Sequence, residues 1–147
     1  MRLKNEGHKI PAGHPELCVG CQACVVACMD ENDIVPELGG KPLCRVEEKE
    51  TAEGKKWIFR TCRHCSRPRC MEVCPAGCFK REEETGLILL EKDKCTGCGA
   101  CEEACPFHGV FLEEDRIAKK CNGCMERVQA GYLPACIRAC PWGAVSW

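Results

Sequence analysis

Apolar residues along this chain come in short bursts, not in long periodic runs. Trp57-Ile-Phe-Arg60, Leu87-Ile-Leu-Leu90 and Val110-Phe-Leu112 stand out. Each has the length and the β-branched or aromatic content of a short strand. Arg116-Ile-Ala118 would complete a hairpin with Val110–Leu112 around Glu113–Asp115. Helix is expected over residues 23–32 and at the start of the stretch 125–135, which bends at Gly131 and Pro134. Residues 1–16 hold Gly7, Pro11, Gly13 and Pro15, with His8 and His14 between them, and read as an irregular arm with solvent-facing histidines. No strand is evident ahead of residue 18. Residues 33–56 carry Pro36, Gly39-Gly40, Pro42 and the charged stretch Glu47–Lys56, and read as a loop with a hairpin turn at Glu53-Gly54.

Composition changes the question from which elements form to what holds them. Leu, Ile, Val and Phe number 28 of 147 residues, too few for a self-sufficient apolar core. Cysteines number 18, far above ordinary usage. Disulfides, zinc or iron–sulfur clusters must therefore supply cohesion. The start, Met1-Arg2-Leu3-Lys4-Asn5-Glu6, has no apolar stretch behind it and no arginine pair, so neither a secretory nor a twin-arginine signal is read there. No apolar run approaches the roughly 18–20 residues of a spanning helix. The expectation is a cytoplasmic protein without membrane insertion, whose thiols stay reduced for metal or redox work.

The cysteines fall into four quartets, an internal repeat. The runs are Cys18-Val-Gly-Cys21-Gln-Ala-Cys24-Val-Val-Ala-Cys28, Cys62-Arg-His-Cys65 to Cys70-Met-Glu-Val-Cys74-Pro75, Cys95-Thr-Gly-Cys98-Gly-Ala-Cys101-Glu-Glu-Ala-Cys105-Pro106, and Cys121-Asn-Gly-Cys124 to Cys136-Ile-Arg-Ala-Cys140-Pro141. The third has the bacterial ferredoxin spacing. Three close cysteines on a tight turn reach three corners of one Fe4S4 cube. The fourth has entered a short helix, points away and serves a different cube. Gly20, Gly97 and Gly123 permit the turn and let backbone N–H groups approach sulfur. Zinc sites use separated pairs, and the first and third runs carry a third cysteine too close for that. All sixteen positions are cysteine, so the count is four [4Fe–4S] clusters. Cys78 aligns with Ala144 across Cys74-Pro-Ala-Gly-Cys78 and Cys140-Pro-Trp-Gly-Ala144, and reads as a small packing residue. Cys44 reads as a buried free thiol.

Charge follows from the clusters. The formal net charge is −1 with thiols neutral, but each oxidised cube with four thiolates would add roughly −2. Arg60, Arg63, Arg67, Arg69, Lys94, Lys119, Lys120, Arg127 and Arg138 lie near the ligands and could offset it, or could form a solvated basic face. Basic residues are not segregated from acidic ones, which gives no case for nucleic acid.

At these runs the chain resembles the four-cluster electron-transfer subunits of molybdenum- and tungsten-pterin oxidoreductases, the dimethyl sulfoxide reductase and formate dehydrogenase group, with relatives serving aldehyde oxidoreductases and hydrogenases. The second run's two-four-three spacing and the long gap of the fourth carry the resemblance, along with Lys120-Cys-Asn-Gly-Cys124-Met-Glu-Arg127. It implies an α+β fold of two ferredoxin-like two-cluster modules, the second inserted in the first, with little regular secondary structure. Residues 1–56 plus 119–147 would form the first module and residues 57–118 the second. It also implies the ligand sets: Cys18, Cys21, Cys24 and Cys140; Cys28, Cys121, Cys124 and Cys136; Cys62, Cys65, Cys70 and Cys105; Cys74, Cys95, Cys98 and Cys101. They would stand in that order as a wire, the first nearest a larger catalytic subunit holding molybdenum or tungsten pterin. A second redox subunit or ferredoxin would take the other end.

The chain itself offers no catalytic constellation. His64 and His108 sit beside ligands and read as donors to cluster sulfur or as surface residues. Trp142 and Trp147 read as core filling or as packing near the first cube. The contrasting readings are a free polyferredoxin shuttle, a hydrogenase-associated iron–sulfur subunit and a zinc-bound interaction module. One departure from the resemblance stands out: Met29, not proline, follows Cys28.

Overall fold

The computed structural model describes residues 10–147. His8 and Gly7 of the expected arm lie outside the described residues. The described residues hold strands β1 (Ala12–Gly13), β2 (Cys44–Thr51), β3 (Gly54–Thr61), β4 (Phe79–Arg81), β5 (Ile88–Leu90), β6 (Val110–Leu112), β7 (Ala118–Lys120) and β8 (Val145–Ser146), and helices α1 (Ala23–Glu31), α2 (Arg69–Val73), α3 (Ala100–Ala104), α4 (Met125–Gln129) and α5 (Ala135–Ala139), with short 3-10 turns at Pro36–Leu38 and Lys92–Lys94. The fold class is α+β with little regular structure. Among the described residues every sheet is a two-stranded antiparallel ribbon. Among the described residues no helix is long and apolar enough to cross a membrane.

The chain divides into two compact units. One comprises Pro11–Thr61 and Cys124–Trp147. Its core gathers Cys24, Cys28, Cys44, Phe59, Cys136 and Val145, so four of six buried residues are cysteines. The second unit comprises Cys62–Gly123. Its core gathers Cys78, Phe79, Ile88, Cys101, Val110 and Ala118. Aliphatic side chains are a minority in the first core and three of six in the second.

Three expectations are corrected. A strand does precede the first ligand run: Ala12 and Gly13 pair with Ser146 and Val145. Two residues carry no periodicity to read, and the pairing comes from β8. The pair is extended by His14, whose amide donates to the Ala144 carbonyl at 2.7 Å and whose Nε2 lies 2.6 Å from Ser146 Oγ. Gly13 is required, because a Cβ there would stand 2.7 Å from Phe59 Cβ.

The stretch 33–56 is a loop only as far as residue 43. Cys44–Thr51 and Gly54–Thr61 form an eight-residue ribbon in full register, with Ala52-Glu53 as its turn. Only its base is buried, so the hydrophobic alternation of a half-buried strand is missing from Glu47–Lys56. Charge stands in for it: Arg60 from across the ribbon and Arg45 from the same strand grip Glu47, at 3.2 and 2.8 Å, and Lys55 meets Glu48 across the ribbon at 2.6 Å.

The strand expected over 116–118 begins two residues later. Arg116 adopts φ 62°, belongs to the turn, and donates from Nη2 to the Gly97 carbonyl at 2.8 Å.

Candidate metal centres

Each of the four runs opens on the same turn. The residue before the second cysteine has positive φ in all four: Gly20 73°, His64 45°, Gly97 75° and Gly123 71°. This conformation aims the backbone amide back at the first cysteine. The His64 amide donates to Cys62 Sγ at 3.4 Å and the Gly123 amide to Cys121 Sγ at 3.2 Å. Glycine is enforced sterically at Gly97, where a Cβ would stand 2.4 Å from the Arg116 carbonyl oxygen. The second run uses histidine instead. His64 is wholly buried, and its Nδ1 accepts the Ile88 amide at 3.0 Å, which places the ring proton on Nε2. His108, by contrast, is exposed.

Three runs also close alike. Cys74, Cys105 and Cys140 end α2, α3 and α5 in extended conformation, with ψ of 111°, 112° and 111°. A proline follows each and forbids further helix. The amide four residues after the cysteine then donates to its sulfur: Cys78 to Cys74 Sγ at 3.4 Å, Gly109 to Cys105 Sγ at 3.3 Å, Ala144 to Cys140 Sγ at 3.3 Å. Strands β4, β6 and β8 begin at the next residue. Cys28 departs from this pattern. With Met29 after it, α1 runs on to Glu31. Asn32, four residues after Cys28, supplies a side-chain donor: Nδ2 bonds the Cys28 carbonyl at 2.8 Å and Cys28 Sγ at 3.7 Å.

These turns gather the cysteines around cavities. Cys62, Cys65, Cys70 and Cys105 line one of about 410 Å³. Cys74, Cys95, Cys98 and Cys101 line a second, together with Cys78, and Cys18, Cys21, Cys24 and Cys140 a third. Of the remaining four, Cys28 and Cys136 share a buried core, Cys124 caps α4, and Cys121 precedes it by three residues. Among the described residues no three His, Cys, Asp or Glu side chains converge on a single-ion point. Four sulfurs spaced around a cavity, met by backbone N–H groups, suit a thiolate-bound cube.

The local fields differ between sites. A buried thiol resists ionisation. Burial pushes Cys62 and Cys65 up, and pushes Cys70 to about 11. The Lys120 ammonium opposes this at Cys62 and Cys70. Cys24 and Cys28 go the other way, each lowered to about 7, first by a hydrogen bond from the Cys44 thiol. Cys44 is itself pushed strongly up by the neighbouring Cys24 and Cys28 thiols and by burial, is 4% exposed, and donates from Sγ to the Cys24 carbonyl at 3.7 Å. It is a buried thiol, as expected, but one bonded to ligand candidates. Cys78 is 2% exposed in the core of its unit, and burial pushes its thiol up to about 12, so it packs as a neutral residue.

Core filling is the wrong reading for two tryptophans. Trp142 is 56% exposed and Trp147 42%. Trp142 sits in the turn between Cys140 and β8, ahead of Gly143 at φ 62°, which holds it beside the cavity of Cys18 and not in the core. Sequence reasoning missed Asn32 and did not separate Lys120 from eight other basic residues. The absent proline after Cys28 was the available signal for Asn32.

Residues 55–147 match the 4Fe–4S dicluster domain family, and residues 15–29 match a 4Fe–4S binding domain. The chain is 39% identical to the thiosulfate reductase electron transfer subunit of Salmonella typhi, over 88% of this chain and 70% of that protein. It is 33% identical to the formate dehydrogenase iron–sulfur subunit of Haemophilus influenzae and 35% identical to the formate dehydrogenase-O iron–sulfur subunit of Escherichia coli K12. Those two matches cover 87% of this chain but only 47% and 49% of the relatives, so the chain spans about half their length. With its four cysteine quartets, its repeated amide-to-sulfur turns and these matches, the chain belongs to the 4Fe–4S dicluster domain family.

Proposed function

We propose that the chain is a non-catalytic electron-transfer subunit. It carries electrons through four [4Fe–4S] cubes between a larger catalytic oxidoreductase subunit, with a molybdenum- or tungsten-bound pterin, and a redox partner in the cytoplasm. One observation carries the reading: twelve of the sixteen run cysteines line three cavities, four to each, and Cys78 alone joins them from outside the runs. The names of the relatives, electron transfer subunit and iron–sulfur subunit, support it.

The ligand sets follow as proposals. Cys18, Cys21, Cys24 and Cys140 hold one cube, and Cys28, Cys121, Cys124 and Cys136 the next. Cys62, Cys65, Cys70 and Cys105 hold the third, and Cys74, Cys95, Cys98 and Cys101 the fourth. Two ferredoxin-like modules result, residues 57–118 inserted between 1–56 and 119–147. Each bound cube supplies a one-electron couple. The protein does the rest with fixed groups. Turn amides donate to ligand sulfurs and favour the added negative charge. Burial restricts water and limits what reorganises on electron arrival.

Anaerobic purification of the chain with whatever it binds tests this. About sixteen iron and sixteen acid-labile sulfide per chain are expected, with a larger copurifying subunit that contains molybdenum or tungsten. Zinc without sulfide overturns the cluster reading. A monomer fully active as a shuttle overturns the subunit reading.

A further inference from the structure

Nine basic residues near the ligand runs could have balanced cluster charge. Lys120 alone among them is buried, at 6% exposure; the other eight are exposed or half-buried. A buried ammonium demands a counter-charge. Among the described residues Lys120 takes part in none of the ion pairs. Its partners are neutral: Nζ donates to the Ile88 carbonyl at 2.5 Å and to the Cys121 carbonyl at 2.6 Å. An ammonium has three donors, and beyond the two carbonyls Lys120 also acts on the Cys62 thiol. The side chain forms part of the wall of the cavity lined by Cys62, Cys65, Cys70 and Cys105. Its anchor is fixed on both sides, because the Ile88 amide donates to His64 Nδ1. Arg63, Arg67 and Arg69 line the same cavity but are exposed, where water and salt screen them.

We propose that Lys120 is the fixed counter-charge of the cube held by Cys62, Cys65, Cys70 and Cys105, and that it raises the reduction potential of that cube above the value its burial alone would set. This rests on that ligand set. Reduction adds one electron to the cube, so the fixed cation gains attraction in the reduced state. Net charge and hydrogen bonds to sulfur are the established levers on such potentials.

The test is a redox titration followed by electron paramagnetic resonance on the full chain, with iron and sulfide counted first. Lys120→Met keeps the length of the side chain and removes the charge; Lys120→Arg keeps the charge. With Lys120→Met, one couple is expected to become at least tenfold harder to reduce, a fall of about 59 mV for one electron. The others should not move, and Lys120→Arg should restore most of the shift. Full iron with no shifted couple, or an equal shift of all four, overturns the proposal and leaves the clusters standing. If Lys120→Met loses one cube, Lys120→Arg decides. Full iron with arginine supports a need for charge; loss with arginine too makes Lys120 a packing residue and overturns the proposal. Cys65→Ser identifies the couple. If it alters a different signal from the one Lys120→Met moves, the assignment to this cube fails. Wild-type protein without iron and sulfide defeats the ligand reading itself, whatever Lys120 does.

Discussion

The first ligand run and the other three solve one problem in two ways. Cys74, Cys105 and Cys140 leave their helices at a proline and receive a backbone amide from four residues on. Cys28 stays inside a helix that continues to Glu31 and receives the side-chain amide of Asn32, also four residues on. The repeat therefore preserves an N–H aimed at sulfur, and proline is one means of delivering it. The means differ in how they can be altered. A backbone amide survives substitution of its residue; Asn32 does not.

The largest test removes one side of the comparison. Cutting the chain after Leu133 deletes Cys136, Cys140 and β8. Iron should fall from about sixteen to about eight per chain, because two ligand sets lose members while Cys62–Cys105 keeps both of its own. Loss of all iron, or of only a quarter, would show the pairing of runs to be wrong. Next comes Met29→Pro, which writes the other three exits into the first run. Residue 29 lies within α1, so proline there removes a helical hydrogen bond and crowds the preceding turn, at a cost of about 3 kcal/mol. Denaturant melting should show the loss; unchanged stability would mean that the two exits are interchangeable.

Asn32→Leu is milder. It removes one donor to Cys28 Sγ, worth about 1 kcal/mol, and should lower a single reduction potential with iron content intact. No shift would make the 3.7 Å contact incidental.

The smallest effect lies in the ribbon. Arg45 first, then Arg60, holds the Glu47 carboxyl below its ordinary value of 4.5. A lowered carboxyl stabilises the fold fully above that ordinary value and loses its contribution as pH falls through the lowered one. Glu47→Gln should thus cost about 0.5 kcal/mol near pH 7. The gap from wild type should narrow only below pH 4.5, read as hydrogen exchange of the β2–β3 amides corrected for intrinsic rate. A gap that persists unchanged at lower pH would assign the cost to packing.

What the sequence made legible was chemistry with fixed spacing. The quartets, the turn glycines, the helix in the first run and the kinship of Cys78 with Ala144 all follow from residues close together in the chain. What stayed hidden depends on partners far away. β1 has two residues and owes its existence to Val145 and Ser146. The β2–β3 ribbon looks like a solvated loop because its outer half has no buried face. His64 in a glycine position gave no warning that it would be wholly buried under Ile88. Lys120 resembled eight other cations until its exposure was known.

The cysteine-built core of the first unit bears on how the protein survives in a cell. Cys24, Cys28 and Cys136 are at once packing residues and proposed ligands. Without iron and sulfide their sulfurs have little to pack around, and Val145 is the one aliphatic side chain among the six buried residues of that core. Metal binding then becomes folding free energy, and a chain made during iron starvation should be recognised and cleared by proteases instead of accumulating as an empty apoprotein. Its steady-state abundance should follow the supply of clusters even when its synthesis does not change.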